Sequence, residues 1–127
     1  MQTFSKDEKL CSATAITELF SKGKQIFKHP VKLLWLQSES TEGPCIKVII
    51  SVSKRNFKRA VDRNKIKRIL RECYRKNKHI VESVLIGKKF HMGLIYVGKQ
   101  IPEYNTIEPI IIGLLQRLTV DHEKTSG

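Results

Sequence analysis

Twenty-four lysines and arginines stand against 12 acids in a chain of 127 residues, a net charge of +12 with a pI near 9.9. Hydrophobic content of 40% with 28% charged residues is the composition of one globular domain and excludes wholesale disorder. The longest apolar run, Ile110–Leu115, is far short of the ~20 residues that cross a bilayer, and the first residues carry acids and lack a long apolar stretch. The expectation is a single domain over 1–127 with a structured core of about 5–120, cytoplasmic and with no membrane contact.

Taken in chain order, Ser12 is placed to cap a helix over Ala13–Lys22, with Ile16, Leu19 and Phe20 as its apolar positions and Gly23 as its stop. Residues 25–37 read as strand, and SESTEGP (38–44) as a polar turn. From Cys45 to Ser53, Ile46, Val48, Ile50 and Val52 alternate with Lys47, Ile49, Ser51 and Ser53, the pattern of a half-buried strand. SKRNFK then leads into a long basic helix, with Asn56 as candidate cap. Residues 82–89 read as a polar loop and Phe90–Val97 as a further strand. Thr106 is placed to cap a last helix with Pro109 in its first turn, and DHEKTSG reads as a frayed tail. The order, helix, two or three strands, basic helix, strand, helix, predicts an α+β fold, one sheet with helices packed on it.

Cys11, Cys45 and Cys73 are odd in number and form no CxxC pair, which argues for reduced, partly buried thiols. His29, His79, His91 and His122 show no metal-ligand spacing and read as surface or strand residues. No nucleophile triad, phosphate loop or carboxylate cluster is visible, so no catalytic residue and no protein-held metal is assigned.

The charge is local. Residues 54–78 hold twelve cations against Asp62 and Glu72, a net +10 in 25 residues, while the other 102 residues hold 12 cations and 10 acids. The run is threaded with Ile66, Ile69, Leu70, Cys73, Tyr74 and Ile80 at helical spacing, which excludes a disordered tail. At 100° per residue these fall on one arc, and Asn64, Lys67, Arg68, Arg71, Arg75 and Lys78 fall on a neighbouring one. Like charges at i, i+4 cost a few tenths of a kcal/mol each, and phosphates would neutralise them. A helix that faces the phosphates of a nucleic acid is expected.

The segment ISVSKRNFKRAVDRNKIKRILRECYR (50–75) resembles the signature of the protein subunit of bacterial ribonuclease P: a strand ending S-V-S-K, then A-V-x-R-N-x-I-K-R-x-x-R-E on a long helix. Order and spacing agree over roughly residues 5–118. The resemblance implies a fold like ribosomal protein S5 domain 2, with a left-handed βαβ crossover. It implies assembly with a catalytic RNA that carries the hydrolysis, and Mg²⁺-dependent removal of the 5′ leader from precursor tRNA. The Mg²⁺ would be bound mainly through RNA, with no obligate protein partner. Carried over by position, Arg63, Asn64, Lys65, Lys67, Arg68, Arg71 and Arg75, with Lys58 and Arg59 before them, would face RNA. Ile16, Phe20, Leu34, Ser53 and Lys54 would line a cleft for the single-stranded leader.

The sequence departs from the family in four places. Lys65 stands where Arg is common, keeping the charge but not the bidentate fork. Ile16 and Leu34 replace common aromatics, removing stacking platforms worth ~1–3 kcal/mol per base. Lys58 stands where Gly is common. A ribosomal or RNA-chaperone-type binding module without part in catalysis is the alternative, and only the 50–75 motif separates the two. A DNA-groove helix lacks the preceding helix-turn-helix spacing.

Overall fold

The computed structural model describes residues 13–38, 46–83 and 89–126, with side chains through His122. Helix α1 spans Ala13–Lys22, the range its apolar spacing predicts; the Ser12 cap lies outside the described residues. The Gly23 N–H donates to the Leu19 carbonyl at 2.9 Å. A Cβ at this position would stand 2.3 Å from that oxygen, so only glycine closes the helix so tightly.

The expected strand over 25–37 is two strands, β1 (Lys24–Lys28) and β2 (Val31–Ser38), turning at a cis His29–Pro30 bond. Pro30 has no N–H to give a ladder, so the run folds back there. Lys28 pairs with Val31, and Lys24 with Trp35 at the far end. Strand β3 covers Ile46–Val52, and the SESTEGP turn falls almost wholly outside the described residues.

The basic run forms α2 (Ala60–Asn77), followed by the short α3 (His79–Glu82). Strand β4 (Lys89–Tyr96) then lies between β2 and β3, giving the order β1-β2-β4-β3. It runs antiparallel to β2 and parallel to β3, so α2 and α3 form the crossover between parallel neighbours.

Helix α4 spans Tyr104–Ser126 and differs from expectation at both ends. It begins two residues before Thr106. The Glu103 carbonyl accepts from the N–H groups of Thr106 and Ile107, and Pro109 falls in the second turn. Its far end continues through the segment expected to fray. Leu115, Leu118 and His122 keep the i, i+3, i+7 spacing, and His122 is buried with its ring 5.2 Å from Phe90 and 6.2 Å from Trp35.

Each sheet face carries its own cluster. Ile26, Leu33, Trp35, Val48, Met92 and Leu94 point to one face and pack with Ile66, Leu70 and Tyr74 of α2 and Ile107, Ile111, Leu114 and Leu118 of α4. On the other face Leu19 of α1 sits on Leu34, with Ile16, Ile49 and Ile95 around them. Among the described residues, no helix is long and apolar enough to cross a membrane.

Candidate nucleic-acid interface

The route into α2 is fixed before the cations appear. The Ser53 hydroxyl accepts from the Arg55 N–H at 3.2 Å and its carbonyl accepts from the Phe57 N–H at 3.1 Å, folding the chain into a turn. Phe57 is buried against Tyr96. Asn56 is not the helix cap. Its amide donates to the carbonyls of Val97 and Gly98, tying this turn to the chain that leaves β4. The N-cap is Arg59, with no side-chain cap bond, and the uncapped first turn adds partial positive charge there. No non-glycine residue among those described has positive φ, so Lys58 occupies the position common to glycine without strain.

Helix periodicity sorts the basic side chains. Ile66, Leu70, Cys73 and Tyr74 are buried. Lys76 and Asn77 turn to α4: the Lys76 Nζ stands 5.1 Å over the Tyr104 ring, and the Asn77 amide donates to Glu108 at 3.2 Å. Asn64, Lys67, Arg68 and Arg71 occupy the opposite flank, along the β3 edge of the sheet; all but the half-buried Lys67 are exposed. Lys65 is exposed between the two flanks, and Lys54, Lys58 and Arg59 are exposed ahead of the helix.

Two expected contacts are engaged within the chain. Arg63 donates through Nη1 to the carbonyls of Phe57 (2.7 Å) and Lys58 (2.9 Å), because its angle on the helix lies at the margin of the buried arc. It braces the turn. Arg75 is paired with Glu72 through both its Nε and Nη2. The Glu72 carboxyl is held below the usual range chiefly by that bond. The i, i+3 spacing of Glu72 and Arg75 was the visible signal for this pair. That pair lies on α2 beyond the run from Asn64 to Arg68.

The leader-cleft residues divide similarly. Leu34 is only 5% exposed beneath Leu19, and Ile16 is half-buried in the same cluster. Phe20 is 49% exposed on α1. Ser53 and Lys54 lie past the end of β3, outside that cluster. On the same sheet face the register sets Lys47 beside His91 and Leu36, polar groups visible in the alternation but not singled out from sequence. The His91 imidazole is held below its ordinary pKa by burial first and Lys47 second, with Glu18 of α1 opposing.

Of the cysteines, Cys73 is buried, which pushes its thiol up to about 12; Cys11 and Cys45 lie outside the described residues. No group of three or more His, Cys, Asp or Glu among the described residues is placed to hold a metal. His29 and His79 are exposed, but His122 is a buried helix residue, contrary to expectation.

The family model described as Ribonuclease P matches residues 4–106. A ribonuclease P protein component from Porphyromonas gingivalis is 31% identical, covering 82% of this chain and 77% of its own length. One from Chlorobium phaeobacteroides is 27% identical over 93% and 89%. The ribonuclease P protein of Thermotoga maritima superposes with a TM-score of 0.70 at 23% identity, covering 87% of this chain and 96% of that one. The Staphylococcus aureus protein gives 0.70 at 19%, over 87% and 94%. The fold is therefore that of known ribonuclease P proteins, and the chain belongs to the ribonuclease P protein component family, the protein subunit of a ribonucleoprotein that processes tRNA.

Proposed function

We propose that this subunit binds the catalytic RNA of ribonuclease P through the α2 stripe and steers the 5′ leader of precursor tRNA along the α1 face of the sheet. The hydrolysis, on this reading, belongs to the RNA. The observation that carries it is the run Asn64, Lys67, Arg68 and Arg71, set on the flank of α2 away from α4 in a segment, 54–78, that holds twelve cations against two acids.

Catalyst and substrate are both polyanions, and holding them together costs electrostatic work that a rigid cationic ridge offsets. Arg68 and Arg71 offer planar forks for phosphate oxygens, while Lys67 supplies a point charge. Asn64 donates and accepts without adding charge, which suits a sugar or phosphate. The stripe's donors are cations or an amide, a set that fits phosphate and not a divalent metal, so Mg²⁺ is assigned to the RNA. There it would activate the attacking water and stabilise the leaving oxygen. Phe20, exposed on α1, is the group placed to meet an unstacked base, and Lys54 a leader phosphate.

The test is reconstitution. With a competent ribonuclease P RNA at limiting Mg²⁺, this protein should restore cleavage at the mature tRNA 5′ end. Absence of stimulation would remove the reading and leave an RNA-binding module without part in cleavage.

A further inference from the structure

On the far side of the molecule from α2, a groove of about 240 Å³ runs between β1 and α4, lined by Ile26, Phe27, Lys28, Gly113, Leu114 and Arg117. Three independent observations bear on it. First, between Glu18 and Glu39 the chain carries Lys22, Lys24, Lys28 and Lys32 and no acid, a second basic concentration at the sheet edge opposite β3. Second, Lys28 and Arg117 are exposed on the two walls, and among the described residues neither has a hydrogen-bond or ion-pair partner. Asp121 lies one turn beyond Arg117 and Glu108 on the opposite side of α4, where Tyr104 and Asn77 hold it.

Third, Gly113 sits within a helix, where glycine costs about 0.5–1 kcal/mol relative to alanine. No neighbouring backbone demands it. The nearest atom a Cβ would meet is the Lys28 Nζ, at 2.7 Å, and the next two are also Lys28 side-chain atoms. The glycine keeps the groove floor low enough for the ammonium to lie across it. Phe27, 52% exposed with its ring 6.2 Å from that of His29, alternates with Ile26 and Lys28 along β1 and so presents its ring on the opposite sheet face.

We infer that the β1–α4 groove is a second RNA-docking site, in which Lys28 and Arg117 clamp a backbone phosphate of an RNA segment distinct from the one on α2. It rests on the proposed function only for the ligand's being RNA. The apolar floor and the paired cations match a backbone phosphate. Gly113 and Arg117 project about 140° and about 180° around α4 from Glu108, the side that meets α2, so one continuous strand would have to wrap the helix layer to reach both sites.

The experiment measures binding of the full chain to the ribonuclease P RNA of its own genome as a function of salt. Lys28→Ala/Arg117→Ala should weaken binding severalfold and lower the magnitude of the log K–log salt slope by about 2, roughly one per lost phosphate contact. Gly113→Ala, which removes no charge, should weaken binding while holding or raising the thermal midpoint. A photocrosslinker at position 117 should map to a different RNA segment from one at position 68. Unchanged affinity and slope in the double variant, or coincident crosslinks, would overturn the second site and leave the α2 assignment standing. Failure of the unmodified chain to bind RNA would overturn both.

Discussion

Arg63 turns its guanidinium onto the carbonyls of Phe57 and Lys58, whereas Arg68 is exposed with no carboxylate partner among the described residues. The two belong to one sequence motif, and only their angles around α2 separate bracing from binding. Arg63→Ala should therefore cost about 1 kcal/mol of stability, two charge-assisted bonds discounted for partial exposure. Arg68→Ala should stay within about 0.5 kcal/mol of the parent yet weaken RNA affinity severalfold. Thermal unfolding beside filter binding separates the outcomes. The stripe was legible from spacing alone because it is a property of one helix; the turn's need for a brace was not, because it depends on where the chain goes before Ala60. His91 adds a pH signature. Its pKa is lower folded than the ordinary 6.5, so the unfolded chain takes up the proton first. Stability present above pH 6.5 should be lost as pH falls toward the depressed folded value. His91→Asn should flatten that part of the thermal midpoint against pH profile, and an unaltered profile would exclude His91 as its source.

Helix and strand identities follow from local pattern, and element ends follow where one residue decides them. Gly23 marks the end of α1 by steric necessity, and α1 matches the expected Ala13–Lys22 at both ends. The division of the β1–β2 run and the length of α4 escape local pattern for opposite reasons. Pro30 interrupts a run whose composition is uniformly strand-like, and His122 continues a helix in a segment whose composition is tail-like. In both cases the arbiter is a distant partner: β2 pairs with β4, and His122 packs on Phe90 and Trp35. The seat of α1 offers a test at this scale. Gly93 lies beneath it, and a Cβ there would stand 3.4 Å from Leu19 Cδ2 and 3.6 Å from Ile49 Cγ2. Alanine fits, but valine would lift the helix and carry Phe20 with it. Gly93→Val should lower the preference for precursor over mature tRNA while leaving affinity for the catalytic RNA nearly unchanged. An equal loss in both assays would mean that the whole sheet, not α1, had been disturbed.

At the scale of the molecule, the sheet places β3 and β1 at opposite edges, and each edge carries its own basic line: the α2 stripe beside β3, and Lys28 with Arg117 beside β1. The first was evident from a count of charges along the chain. The second was hidden, because Arg117 is far in sequence from the lysines it joins and only the packing of α4 on β1 brings them together. With six to eight phosphates engaged on the α2 side, log K for RNA should fall against log salt with a slope of about −4 to −7. A slope near zero would show that charge is not what holds the complex together. The arrangement around Trp35 has a practical consequence. The chain has one tryptophan, shut between the Lys24 ammonium, the Phe90 ring and the His122 imidazole. Its emission is thus an internal lamp for the last turns of α4. Undocking of that helix would redden and brighten the signal without any label, at wavelengths where nucleobases do not fluoresce, so the state of the C-terminal helix can be watched while RNA is added.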